Sequence, residues 1–454
     1  MLKNNRNIFY LVLLLTLIQV FFFATAHYLG VGRTIVNVDY FFILVMSLVV
    51  SRLISYVAMV FFLLVDLFML VVQILPFTRA TEFLYFMTRL EYVNHQYIFM
   101  FLAVMLFCLV SSMFFIRVVN KVEKLQKLII FNIFIFAFYI LGYINNADST
   151  DNRFYRVASV PTVDSVFLYA YDYRTAGFVS TSQLKDQQFQ ISLDERSFCE
   201  NVGCDIFNND TKILFILNES WGEYKNSYIN KNLLKNISAN YKIKKSYSSF
   251  RGVTVAAELK ELCGLSTNSF YLKNASSEAL SDCFPNKINN HDWKVVSYHG
   301  AGSTMYDRYY WYEKVGFDES YFYDNYPWKK RCYSFPGACD EEISNKIVSD
   351  IKEAKSGFFY WLTLNTHHNY NLKDLQRDVP SCFELGVSNN EVCRNTKLQH
   401  QFFLILESML SKLQEENLIV YVLGDHVPPV TNTEDKEKYF HIGRVPWVKI
   451  DLSK

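Results

Sequence analysis

Over 454 residues the sequence carries almost no net charge, a formal +1. No overall field draws it to a polyanion, and nucleic acid is not expected as a partner. Internal repeats and low-complexity tracts are absent. The first apolar segment, Ile8 to about Leu29, lacks the small-residue cleavage pattern of a secretory signal and is long enough to span a bilayer. No pair of cysteines has the C-x-x-C spacing of a structural zinc site.

The residues that are present are unevenly spread. Apolar residues make up 51% of the chain and crowd into the first 145 positions, after which Glu, Lys, Asn and Asp dominate. The apolar stretch from Tyr40 to Leu75 is too long for one crossing at about 1.5 Å per residue and divides at Ser51-Arg52 into two helices, the first of them short. Tyr97 to Ile116 and Leu128 to Ile144 complete a set of five. Lys3 and Arg6 precede the first helix; Arg117, Lys121, Lys124 and Lys127 separate the last two. The positive-inside rule puts both basic groups in the cytoplasm, which five crossings satisfy and four do not. Everything after residue 145 is then expected outside. Asp66, near the middle of the third helix, either bonds a neighbouring helix or serves a function.

Cysteine usage agrees. Cys108 falls in a membrane helix as an apolar filler. The other eight all follow the membrane region: Cys199, Cys204, Cys263, Cys283, Cys332, Cys339, Cys382 and Cys393. Short intervening loops favour four disulfides between sequence neighbours in an oxidising compartment, with thiolate metal binding as the rival.

Residues 146–210 look irregular and polar, a connector to a globular domain over 211–454. There, short unalternating apolar runs suit strands buried on both faces: Ile213–Leu217, Trp293–Tyr298, Phe358–Leu364, Leu418–Leu423 and Val445–Ile450. Helical segments lie between them, over Val255–Leu262, Met305–Val315, Glu341–Ala354 and Thr396–Gln414. The alternation implies an α/β domain with a mainly parallel sheet.

Four of these strands end in chemistry. The first is followed by Asn218-Glu219, the second by His299, the third by Asn365-Thr366-His367-His368, and the fourth by Asp425-His426. In open α/β sheets, ligands bind outside the carboxyl ends of the strands. Glu219, Asp425 and His426 form an oxygen and nitrogen set that suits Zn²⁺ or Mn²⁺. Thr254, after a glycine and at the start of a helix, is either an N-cap or a nucleophile beside a metal and a helix N-terminus.

The segments ILNESWG, RGVTVAAE, YHGAGSTMYDRYYWYEKVGFD, LTLNTHHNY and LGDHVPP, in this order, resemble the sulfatase-like branch of the alkaline phosphatase superfamily. Within it they are most similar to bacterial membrane phosphoglycerol and phosphoethanolamine transferases, such as lipoteichoic acid synthase and lipid A phosphoethanolamine transferase. The resemblance implies that Glu219, Thr254, Asp425 and His426 hold a divalent metal and that Thr254 becomes phosphorylated. It nominates Tyr306 and Arg308 for the donor headgroup, and His367 or its neighbour His368, and His441, for substrate; His299, at its strand end, is a further substrate-binding candidate. NESWGEYKNSYIN lacks the arginine and glycine-tyrosine pair usual downstream of the first glutamate in the phosphoethanolamine branch, whereas YFHIGRVPW resembles that branch. The headgroup stays open, leaning to glycerol phosphate through MYDR.

The resemblance thus implies a multi-pass protein of the bacterial inner membrane with a periplasmic catalytic domain. A membrane phospholipid is the donor, and an envelope glycan, lipid-linked saccharide or lipopolysaccharide the acceptor. The alternatives are a sulfatase or phosphodiesterase-type hydrolase and a non-catalytic envelope protein on this fold. Thr254 in VTVAA does not fit the C/S-x-P-x-R context of sulfatases.

Overall fold

A computed structural model describes residues 2–29, 33–74, 95–144, 162–175, 189–191, 210–289, 293–333, 335, 337–368, 370–430 and 433–452. The chain divides into two compact units, Met1–Ser180 and Thr181–Lys454.

The first unit contains helices over Leu2–Leu29, Asp39–Val49, Arg52–Ile74, His95–Val119 and Lys124–Ile144. Val50, with an extended backbone, separates the second from the third where the split was expected. Among the described residues, three stretches are long and apolar enough to cross a membrane: Arg6–Tyr28, Arg52–Val71 and Ile98–Val119. The Asp39–Val49 helix has 11 residues. At about 1.5 Å per residue it covers roughly half of a ~30 Å hydrocarbon core. Among the described residues up to 145, helices form at the five expected places, but five crossings are not established. Asp66 is buried, and its carboxylate accepts from Arg33 Nε at 2.9 Å, Arg33 Nη2 at 2.7 Å and Tyr40 Oη at 2.6 Å. Of the two roles open to it, the structure gives a bond across the helical unit.

The segment expected to be an irregular connector has order where it is described. Val163-Asp164 pairs in parallel with Val36-Asn37, and a helix follows over Val166–Thr175. Asp39 caps that helix, accepting from Ser165 Oγ at 2.6 Å and Phe167 N–H at 2.9 Å. A carboxylate at a helix N-terminus meets orphan N–H groups and the positive dipole end.

The second unit is built on a seven-stranded sheet. Its strands are β1 (Lys212–Asn218), β2 (Ile243–Ser249), β3 (Lys294–His299), β4 (Glu319–Tyr321), β5 (Gly357–Leu362), β6 (Leu418–Gly424) and β7 (Arg444–Asp451). Their order is β2-β7-β6-β1-β5-β3-β4, with β7 alone running against the rest. All seven residues of β1 and of β6 are buried, as continuous apolar runs require. Alternate residues of β1 serve opposite faces. Leu214 and Ile216 join one core with Ile343, Ile347, Leu406 and Leu410, while Ile213, Phe215 and Leu217 join the other with Val255, Leu259 and Trp311. Helices therefore cover both faces, Asp340–Glu353 and Asn390–Lys412 on one and Thr254–Cys263 and Arg308–Val315 on the other.

Two strands escaped the sequence pattern. The largely exposed IKKSYSS of β2 has no apolar run, and β4 has only three residues. The helix expected over Met305–Val315 is broken: Tyr306 and Asp307 are left-handed, at φ 53° and 57°. A longer-range demand decides this, because the Asp307 carboxylate accepts from the N–H groups of Leu272 and Lys273.

Three expected disulfides are present, Cys263–Cys283, Cys332–Cys339 and Cys382–Cys393, and Cys108 is a buried free thiol. Cys199 and Cys204 lie outside the described residues.

Candidate metal and phosphoryl-transfer site

Adjacent parallel strands bring the ligands together. Gly424 of β6 is in register with Asn218 of β1, so Asp425 and Glu219 leave the sheet side by side. Only glycine fits at 424, since a Cβ there would lie 1.9 Å from the Trp221 carbonyl oxygen. Glu219, Asp425 and His426 each offer a ligand atom, all within 4.8 Å of one another.

The donor set then fixes its own polarity. Asp425 Oδ1 accepts from the N–H groups of Ser220 and His426, both at 2.6 Å, while buried Oδ2 has no hydrogen bond to a described residue. His426 Nδ1 lies 3.1 Å from the Val427 carbonyl, which can only accept, so Nδ1 carries the proton. Nε2 therefore presents a lone pair to Asp425 Oδ2 at 3.2 Å and Glu219 Oε1 at 3.5 Å. Burial holds His426 below the ordinary imidazole range, which favours that neutral form. Burial, and next the charge of Glu219, push the Asp425 carboxyl well above the carboxylate range. Three acceptors converging in a buried space repel one another unless a proton or a cation lies between them. Orphaned Asp425 Oδ2 and the lone pair of His426 Nε2 fit a divalent metal with oxygen and nitrogen preferences.

Thr254 completes the group. It is the first residue of its helix; the N-cap position belongs to Val253, and Thr254 makes no cap. Instead its Oγ1 donates to Glu219 Oε2 at 3.1 Å and lies 3.4 Å from His426 Nε2.

The expected substrate residues separate. His299, buried at the end of β3, has Nδ1 3.1 Å from the Leu362 carbonyl and is held well below the imidazole range by burial and then by Arg308. The charge of His367 acts on both Glu219 and His299, and its ring packs on Phe335. His368 points to Glu391 Oε1, 3.2 Å away. Of the two neighbours, His367 is the one electrostatically joined to the site. His441 lies in the turn before β7, its N–H on the Glu223 carbonyl, and its side chain makes no hydrogen bond or ion pair to a described residue.

Arg308 departs from expectation. Its side chain is 2% exposed, and its guanidinium grips Glu258 through Nε (3.1 Å) and Nη2 (2.6 Å), with Nη1 on the Met305 carbonyl. Tyr312 and Tyr360 also donate to Glu258. The cation is engaged inside the core and does not present itself to a headgroup. Tyr306, its ring 5.2 Å from the Arg308 guanidinium, occupies the left-handed turn beside it. In STMYDR nothing reports Glu258, 50 positions away.

Two residues with no sequence signal stand out. Lys436 is half-buried, its ammonium makes no hydrogen bond or ion pair to a described residue, and it is close enough for its charge to lower His426. Ser220, at φ 54°, forms the turn between Glu219 and the rest of the motif.

Asp425→Asn or His426→Ala should strip bound metal, because losing one ligand weakens a small site severely. Elemental analysis of purified variants checks this, and full occupancy in both would move the metal elsewhere.

No family model and no curated protein matches the sequence. Among solved structures, the chain is similar to the lipoteichoic acid synthase LtaP from Listeria monocytogenes, at 17% identity and a TM-score of 0.40, over 53% of this chain and 65% of that one. It is also similar to the phosphoglycerol transferase GacH from Streptococcus pyogenes in complex with sn-glycerol-1-phosphate, at 18% identity and a TM-score of 0.36, over 55% and 72%. A third is the C-terminal periplasmic domain of EcEptC from Escherichia coli in complex with Zn, at 11% identity and a TM-score of 0.38, over 54% and 74%. The matched region spans less than two thirds of the LtaP chain.

Proposed function

We propose that this chain is a membrane-anchored, metal-dependent phosphotransferase of the bacterial inner membrane with a periplasmic catalytic domain. It moves a phospho-alcohol headgroup, phosphoglycerol or phosphoethanolamine, from a membrane phospholipid to a hydroxyl of an envelope glycan or lipopolysaccharide. The observation that carries this is Thr254 Oγ1 hydrogen-bonded to Glu219 beside Asp425 and His426.

Glu219, Asp425 and His426 would hold Zn²⁺ or Mn²⁺, which when bound supplies charge stabilisation to phosphoryl oxygens and to the threonine alkoxide. The Thr254 hydroxyl proton is directed at Glu219 Oε2, leaving an oxygen lone pair for phosphorus. The Oγ1–P bond forms as the P–O bond to diacylglycerol breaks. His367 hands a proton to that leaving oxygen; in the second step it takes one from the acceptor hydroxyl, whose oxygen bonds phosphorus as the Oγ1–P bond breaks and Thr254 regains its proton from Glu219. His299 remains neutral through burial and suits hydrogen bonding to substrate. Half-buried Lys436, whose ammonium has no partner among the described residues, favours an anionic substrate. With Arg308 engaged by Glu258, this residue no longer carries the lean toward glycerol phosphate.

The test is the intact mass of the full-length protein after incubation with phospholipid vesicles and divalent metal, with no acceptor. A phosphoglycerol or phosphoethanolamine adduct mapped to Thr254 is expected and names the headgroup. Hydrolysis of the lipid headgroup by a route that leaves Thr254 unmodified, even in rapid quench, would favour a phosphodiesterase instead.

A further inference from the structure

The turn that carries Glu219 is gripped from behind by a helix that supplies no ligand. Gln399, fully buried on the Asn390–Lys412 helix, donates through Nε2 to the carbonyls of Glu219 and Ser220, both at 2.9 Å. Its Oε1 accepts from Asn218 Nδ2 at 2.8 Å. Both donors and the acceptor of this amide are thereby used. Asn395, four residues earlier on the same helix face, donates to the Ser220 carbonyl at 3.2 Å. Thr366 Oγ1 donates to the Glu219 carbonyl at 2.6 Å.

This grip holds a backbone that would otherwise relax. A non-glycine residue at positive φ costs on the order of 1 kcal/mol or more and persists only where its surroundings impose it. Ser220, at φ 54°, is such a residue. In this conformation its N–H donates to Asp425 Oδ1 at 2.6 Å and its hydroxyl to Glu219 Oε1 at 2.9 Å. If the 219–220 peptide rotated, Asp425 Oδ1 would lose that donor, and the carboxylate would no longer be held with Oδ2 toward His426.

We propose that Gln399, assisted by Asn395, is a positioning residue of the metal centre: it locks the Glu219–Ser220 turn so that Ser220 occupies Asp425 Oδ1 and leaves Oδ2 as the ligand oxygen. The proposal rests on Glu219, Asp425 and His426 being a metal site. Outer partners that orient ligands typically contribute tenfold to a hundredfold in metal affinity.

The experiment is a Zn²⁺ titration against a competing chelator, on full-length protein in detergent, comparing wild type with Gln399→Met and Asn395→Ala. Methionine keeps the length of the side chain without its donors. The expected result is a tenfold to hundredfold weaker Kd in Gln399→Met and a smaller loss in Asn395→Ala, each measured on the folded fraction by near-UV circular dichroism. Asn395→Ala removes one bond to the turn and one from Tyr224 Oη, which Thr396 Oγ1 still engages, and keeps the test open should Gln399→Met fail to fold. Unchanged Zn²⁺ affinity in the folded variants, whatever their thermal stability, assigns Gln399 to packing and overturns the proposal. Failure of wild type itself to bind Zn²⁺ would instead sink the metal site on which it rests.

Discussion

Thr254→Ala protein is expected to keep its metal and its fold and to lose phosphoryl transfer by a factor on the order of 10⁴ or more, the scale of removing a nucleophile that acts as part of a unit. The hydroxyl makes one hydrogen bond to Glu219 and no helix cap, so stability should change by less than about 1 kcal/mol. Glu219, Asp425 and His426, the proposed ligands, all remain in this variant. Turnover of fluorescent phospholipid in detergent, with elemental analysis of the same sample, checks both halves. Retained turnover with full metal would end the covalent mechanism. Thr254→Ser, which keeps a hydroxyl, should restore part of the rate and the adduct.

Arg308→Leu should be the most damaging single change to stability. Glu258 is fully buried, and the guanidinium supplies its charge balance. Removing one member of such a pair costs about 3–5 kcal/mol, because a charge is left in the core with only tyrosine hydroxyls beside it. Arg308→Lys should also destabilise, since an ammonium cannot reproduce the two-pronged contact. Joint replacement, Glu258→Leu with Arg308→Leu, should recover most of the loss. Urea unfolding of the full-length protein reads all three. Wild-type stability with a raised KM for lipid in Arg308→Lys would return this residue to the headgroup.

The contrast between these two residues shows what the sequence carries and what it withholds. The convergence of Glu219, Asp425 and His426 was legible because strand ends in a parallel sheet point to one edge, and Thr254 beside them from its place at a helix start. Strand positions were legible wherever both faces are buried, as in β1 and β6. Arg308 misled because a motif shows a residue type and not its partner: Glu258 lies on another helix, and its demand for a cation outweighs any ligand. Tyr306-Asp307 misled for the same reason, since local helical propensity yielded to the N–H groups of Leu272 and Lys273. Asn395 and Gln399 read as ordinary polar positions on an amphipathic helix. Only the fold turns them toward the Glu219–Ser220 turn. The places of the helices were legible, but the crossing count was not: the 11-residue Asp39–Val49 helix is too short, and Lys124–Ile144 is not among the described stretches long and apolar enough to cross.

Gly424 has a consequence for how this region would look in a mutational scan. Its missing side chain makes room for the Trp221 carbonyl, and no chemistry passes through it. In a library covering 418–430, every substitution at 424 should score as badly as those at Asp425 and His426, though for steric reasons. Tolerance profiles alone would then enlarge the apparent active site by one residue that does no catalysis. Expression level would separate the classes, since Asp425→Asn should accumulate normally and Gly424→Ala should not.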